Sequence, residues 1–174
     1  MDGAARNPRY HRPMARLLIV YHSRTGGSRQ MAQAAADAAA PEIATRLIPA
    51  HEADPDHVLT AEGYIFCAPE NLATLSGAMK EFFDRCYYPV LGKIAGRPYA
   101  QMICAGSDGS GAARQLARIA TGWRLKEVQP PLILCTQAQT PEQILAAKTI
   151  PAEQLEPCRD LGVAMGAGLA MGVF

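Results

Sequence analysis

The chain has almost no net charge: 17 basic against 16 acidic residues leave +1 at neutral pH. Segment 1–13 holds Arg6, Arg9 and Arg12 against Asp2, so the body that follows is about neutral. A basic surface for nucleic acid is therefore not supported. The same balance argues against an acidic carrier that docks on basic partners. The five cysteines, Cys67, Cys86, Cys104, Cys135 and Cys158, form no C-x-x-C pair. Three of them sit in apolar, strand-like runs, and the odd count fits reduced core thiols in a cytoplasmic protein. His11, His22, His51 and His57 lack metal-ligand spacing, so no metal is expected. No apolar stretch precedes Leu17, so no secretory signal is read, and Met14 offers an alternative start. Residues 1–13 read as a disordered extension and 14–174 as a single domain. The final apolar stretch, Leu161 to Phe174, is too short to span a bilayer. Its small residues, among them Gly162, Gly166 and Gly168, suit a helix that packs closely on a sheet or a subunit partner. No internal repeat or linker divides the chain.

What is present is an alternation of strand and helix patterns in a chain that is 49% hydrophobic. Leu17–Tyr21 is a continuous apolar run of strand length, and Gly27–Ala40 is an Ala-rich helix stopped by Pro41. Ile43–Ile48 reads as a second strand, with a short segment around His57–Ala61 after it. Tyr64–Cys67 reads as a third strand ended by Pro69. Met79, Phe82, Phe83, Cys86 and Tyr87 form one helical stripe. Tyr99–Ala105 is a fourth strand. Ala113, Leu116, Ala117 and Ala120 mark a helix closed by Gly122. A fifth strand lies within Leu125–Cys135, broken by Pro130-Pro131, and a last helix covers about Glu153–Met171. The pattern implies an α/β doubly wound parallel five-stranded sheet, covered on both faces. Loops after the first, third and fourth strands (22–28, 68–77 and 106–111) then share the carboxyl edge, where ligands bind in such sheets. Thr136–Ala152 has no firm reading beyond a lid or a partner contact.

The first loop carries the chemistry. His22-Ser23-Arg24-Thr25-Gly26-Gly27-Ser28 joins a buried strand to a helix N-terminus. Backbone N–H groups, hydroxyls and the positive helix end converge there, which suits a phosphate. There is no Lys after the glycines for a Walker A loop and no G-x-G-x-x-G. A catalytic Cys to open a phosphatase loop is missing, and so is an Asp at the end of the third strand for a phospho-receiver. Ser23, Thr25 and Ser28 have a second use as helix caps, and Arg24 either adds a charge or faces solvent.

The motifs together resemble the flavodoxin-like FMN proteins, specifically the NAD(P)H-dependent FMN reductase branch. The [ST]-x-[ST]-G-x-[ST] phosphate pattern reads Ser23, Arg24, Thr25, Gly26, Gly27, Ser28. A Pro-Glu segment opens with Pro69, Glu70, Asn71 and Leu72 and runs through Gly77, Met79, Lys80 and Asp84. A third loop holds Gly106, Ser107, Asp108, Gly109, Ser110 and Gly111. The resemblance implies strand order 2-1-3-4-5. It also implies FMN held by the first loop at its phosphate, with the second loop along the ring through backbone groups at Glu70 to Leu72. Gly106, Ser107, Gly109 and Gly111 would then meet the far side of the ring, or serve only as a tight turn. NADH or NADPH would supply electrons, a quinone or similar small molecule would accept them, and no protein side chain would act as catalytic acid or base. A homodimer or homotetramer is implied, with the last helix and Tyr87-Tyr88 as contacts. The alternatives are a flavodoxin-type electron carrier for a protein partner and a flavin-handling protein with little turnover.

Overall fold

The computed structural model describes residues 16–174. The extension 1–13, with His11, and the alternative start at Met14 lie outside the described residues. Leu17–Tyr21 forms β1, with residues 17–20 buried. Leu18 and Val20 face one hydrophobic core with Tyr64 and Phe66, while Leu17 and Ile19 face another with Ile65 and Cys67. A strand covered on both sides needs an apolar residue at every position, which is why the run is unbroken. Gly27–Ala39 forms α1, Thr45–Pro49 forms β2 and Pro55–Thr60 forms α2, a short helix with a capping box between Asp54 and His57. Then come β3 (Gly63–Asn71), β4 (Thr74–Leu75), α3 (Gly77–Val90), β5 (Pro98–Ala105) and α4 (Ser110–Gly122). The chain closes with β6 (Lys126–Glu127), β7 (Leu132–Cys135), α5 (Pro141–Leu145) and α6 (Ala152–Met171).

The sheet runs β2-β1-β3-β5, and β6 and β7 both pair with β5. These last two are one fifth strand, split at Pro130-Pro131 because neither proline donates to a ladder. All of these pairings are parallel. The expected order is therefore found, with an added antiparallel hairpin of β3 and β4.

Two expectations are corrected. Pro69 does not end the third strand: β3 continues to Asn71, and Pro69 pairs with Cys104. The Cys67 carbonyl accepts from His22 N–H at 3.0 Å, so odd-numbered residues of β3 turn their polar groups toward β1. β1 stops opposite Cys67, so the N–H that Pro69 lacks has no partner to miss. Nor does Gly122 terminate α4 by a left-handed turn. It is the last helical residue, and Arg124, at φ 57°, makes the reversal. A Cβ on Gly122 would lie 2.9 Å from the Tyr87 hydroxyl, so close packing explains this glycine.

The two cores flank the sheet. On one side Phe66, Phe82, Phe83 and Trp123 stack edge to face, with Phe66–Phe83 and Phe83–Trp123 centroids at 5.0 and 5.2 Å. On the other, α6 lies against α1, and a Cβ on Gly162 would fall 2.2 Å from the Ala35 carbonyl oxygen. The small residues of the last helix thus bring it onto α1 of its own chain.

Candidate functional site

The three loops do meet at the carboxyl edge of the sheet. In the first, Ser23 Oγ accepts the Gly26 N–H at 3.0 Å and folds the loop back on itself. Gly26 adopts φ 96°, a left-handed conformation that glycine takes without strain, and α1 starts with no side-chain cap. Its first-turn N–H groups therefore keep their donors free of protein side chains, and the helix dipole adds to them. A Cβ on Gly27 would stand 2.6 Å from Cys104 Sγ, so only glycine lets the loop sit this low over β5. Arg24 is exposed and Thr25 half-buried. Ser28 is 2% exposed, and its hydroxyl is buried beneath the loop beside the Cys104 thiol. Its backbone N–H belongs to the open helix end. An uncapped N-terminus on two consecutive glycines fits the terminal phosphate of a nucleotide-like cofactor.

The second loop is the β3–β4 hairpin. Leu72 and Ala73 occupy its tip with φ 51° and 59°, and the Leu72 side chain is 98% exposed. Such values suit Asn-Gly, so this turn holds strain. Glu70 fixes the hairpin from below. Its Oε1 accepts the Gly109 N–H at 2.9 Å and its Oε2 the Ala112 N–H at 3.0 Å. The Glu70 carboxylate is thus the cap of α4 and not a solvated loop charge. Of the two long helices that begin at this edge after a glycine loop, α4 carries its own anion and α1 carries none. Gln115 adds a second clamp, its Oε1 accepting the Leu75 N–H at 2.7 Å.

The third loop presents Ser107 and Asp108 to solvent. Gly109 and Gly111 have packing roles: added Cβ atoms would fall 2.5 Å from Ile133 Cγ2 and 2.1 Å from the Ala73 carbonyl oxygen. Gly106 lies under the strand-to-helix connection, where a Cβ would sit 2.6 Å from the Ala138 carbonyl oxygen. Pro69, Glu70, Asn71 and Leu72 follow one another out of β3 toward this loop.

Sequence reasoning missed three parts of the site. His22 is half-buried, and its Nδ1 shares a 2.9 Å hydrogen bond with the fully buried Ser76 Oγ, joining the first loop to the start of α3. Burial, then His51, then Arg24 lower its pKa, so the ring is neutral near pH 7. Glu70 showed no sign of its capping role, because the N–H donors it accepts from belong to a helix about forty residues away. The segment 136–150 packs against both glycine loops: Gln137 N–H donates to Gly106 O at 2.8 Å and Lys148 N–H to Thr25 O at 2.7 Å. Only its Thr140-x-x-Gln143 capping box, which starts α5, was legible as a signal.

Other singled-out residues are structural. Trp123 and Cys86 are fully buried, and burial pushes the Cys86 thiol up to about 11. Tyr87 packs beside Trp123, whereas Tyr88 is exposed. A cavity of about 400 Å³ between Gln129–Leu132 and α6 opens where β7 begins, at the opposite sheet edge from the three loops. Among the described residues no helix is long and apolar enough to cross a membrane.

Residues 55–139 match the NADPH-dependent FMN reductase family. The flavodoxin of Aquifex aeolicus is 35% identical over 100 residues, covering 56% of this chain and 52% of that protein. The NAD(P)H dehydrogenase (quinone) of Acidithiobacillus ferrooxidans is 31% identical over 94 residues, covering 41% of this chain and 47% of that protein. The chain spans about half the length of the curated relatives it matches. Among solved structures, a flavodoxin from the domain Archaea superposes with a TM-score of 0.71 at 16% identity, over 88% of this chain and 97% of the other. A WrbA-like flavodoxin from Agrobacterium tumefaciens gives 0.71 at 19% identity, over 91% and 98%. At these identities the likeness establishes the fold.

Proposed function

We propose that this chain, flavodoxin-like in fold and similar through residues 55–139 to the NADPH-dependent FMN reductases, is an FMN-dependent oxidoreductase. It passes electrons from NAD(P)H to a quinone or similar small acceptor. The observation that carries the reading is the contrast between two helix starts at one edge. α4 is closed by Glu70, and α1 is left open over a glycine pair. Thr25, Gly26, Gly27 and the N–H of Ser28 hold the phosphate, with Ser23 shaping the loop from within. The hairpin at Asn71 and Leu72 and the turn at Gly106 and Ser107 flank the space beyond, where a planar ring is held by backbone groups. When bound, FMN supplies the hydride-accepting and electron-transferring chemistry. The protein binds, orients and limits water, and no side chain has to move a proton. His22 stays neutral beside the loop, so it adds no charge that would bind anions indiscriminately.

A small-molecule acceptor is supported by the body's neutral charge and by the likeness to a quinone-reducing dehydrogenase. The likeness to a flavodoxin supports a second reading, a carrier for a protein partner. Anaerobic addition of NADPH or NADH to the FMN-loaded protein separates them. Bleaching of the visible absorption without a separate reductase is the expected outcome. A band that stays oxidised would favour the carrier. In the same assay Thr25→Asp should lose FMN, because a carboxylate in the half-buried loop repels the phosphate. A folded Thr25→Asp protein that keeps its FMN affinity counts against the phosphate assignment. Five unpaired thiols, four of them buried, fit a reducing compartment such as the cytoplasm. A homo-oligomer, if formed, has the exposed Tyr88 available for contact.

A further inference from the structure

Gly26 gives the first loop freedom and no direction. Without a Cβ, the peptides on either side of it can turn their carbonyls or their N–H groups toward an anion at little cost. An anion site requires the second choice, because a carbonyl oxygen facing a phosphate repels it. The choice is shared between the first turn of α1 and a segment outside both the loop and the family-matched stretch 55–139. Lys148 N–H donates to the Thr25 carbonyl at 2.7 Å. The Gly26 carbonyl accepts from Gln30 N–H at 3.1 Å and from Gln30 Nε2 at 3.0 Å. In a trans peptide the C=O and the following N–H point opposite ways. The Gly26 N–H is taken up within the loop by Ser23 Oγ at 3.0 Å, so the donor that the outward Gly26 carbonyl turns toward the anion is the Gly27 N–H.

Gln30 is the centre of this arrangement. Its Nε2 also donates to the Lys148 carbonyl at 2.7 Å, and its Oε1 accepts the Ile150 N–H at 3.0 Å. One amide side chain thus ties the helix start to the strap 146–150 with donor and acceptor ends both engaged. The strap is itself braced. Lys148 Nζ donates to the carbonyls of Gln143, Ile144 and Ala146 at 2.6, 3.1 and 2.7 Å, closing the C-terminal end of α5. Its ammonium is therefore held within the strap, and its backbone is presented to Thr25.

We infer that Gln30 and the strap 146–150 are positioning elements that set the specificity of the first loop for a phosphorylated flavin, by holding the Gly26 carbonyl outward so that the Gly27 N–H faces inward. The inference rests on the reading of that loop as the FMN phosphate site. Gln30 touches no ligand. It acts through the Gly26 and Lys148 carbonyls, and its loss should weaken selection for phosphate while leaving ring binding alone.

The test is a pair of fluorescence titrations, with FMN and with riboflavin, which lacks the phosphate, on the full chain and on Gln30→Leu. The wild type should prefer FMN. Gln30→Leu should lose about tenfold or more in FMN affinity with riboflavin affinity unchanged. A parallel fall for both ligands, or FMN affinity kept within about twofold, overturns the inference. If the wild type binds FMN no better than riboflavin, the phosphate reading itself fails, whatever the variant does. A second measurement needs no variant. Coupling is reciprocal, so FMN should slow hydrogen exchange at the Lys148 and Ile150 amides of the wild type, and riboflavin should not. Protection of residues 22–30 by FMN with no change at those two amides would leave the strap uncoupled and sink the inference.

Discussion

Gly27 shows how much one missing methyl decides. Alanine there would place its Cβ 2.6 Å from Cys104 Sγ, a distance real Cβ atoms do not tolerate. Cys104 is 8% exposed, and burial pushes its thiol up to about 11, with Lys148 drawing it partly back. It is a packed, neutral thiol. Gly27→Ala should therefore cost about 1–3 kcal/mol through overpacking. Cys104→Ala removes the obstructing sulfur, so the double variant should be more stable than the two single losses predict, with a coupling of about 1 kcal/mol. Urea unfolding of all four proteins checks this, and strictly additive losses would show that the contact is relieved elsewhere. At the same scale, the sequence was informative about Gly26 and Gly27 as loop glycines. The turn reading holds for Gly109, at φ 85°, but the sequence could not tell that Gly109 and Gly111 are also packed against Ile133 and Ala73.

The element under greatest local tension is the β3–β4 hairpin. Two adjacent non-glycine residues hold left-handed φ at its tip, and the leucine among them is almost wholly exposed. The hairpin persists because Glu70, Gln115 and the close approach of Gly111 fix its base to α4. Replacing Leu72-Ala73 by Asn-Gly supplies residues at ease in this turn. It should raise stability by about 1 kcal/mol, read as a higher urea midpoint with unchanged cooperativity. The exposed Leu72 side chain has no fold contact to lose. A midpoint that falls instead would mean that the tip is not strained in solution. The hairpin was legible only as a motif. Pro69 reads as a stop, and nothing local reveals that β1 has already ended beside it.

At the scale of the whole molecule, the site is a seam between crossover units. His22 belongs to the first and Ser76 to the second, and their hydrogen bond crosses between them. Burial and two neighbouring bases hold the His22 pKa below its ordinary 6.5. As pH falls through that value the unfolded chain takes up a proton before the folded one does. Stability should therefore drop from about pH 6.5 downward and level off once folded His22 is also charged. His22→Asn removes this contribution, so its unfolding free energy should fall less between about pH 8 and pH 5 than that of the wild type. An identical slope in the variant would assign the acid sensitivity to other groups. The sequence by itself determined the alternation of elements, the doubly covered sheet and the glycine loop after β1. Those features depend on residues close together in the chain and on a period that burial imposes. Only the tertiary structure decided which helix start stays open to an anion, since Glu70 reaches α4 across the sheet edge. It also decided which way the loop's peptides face, since Lys148 and Ile150 return to Thr25 and Gln30 from the far end of the chain. Hydrogen bonds between such distant partners leave no periodic trace in the sequence.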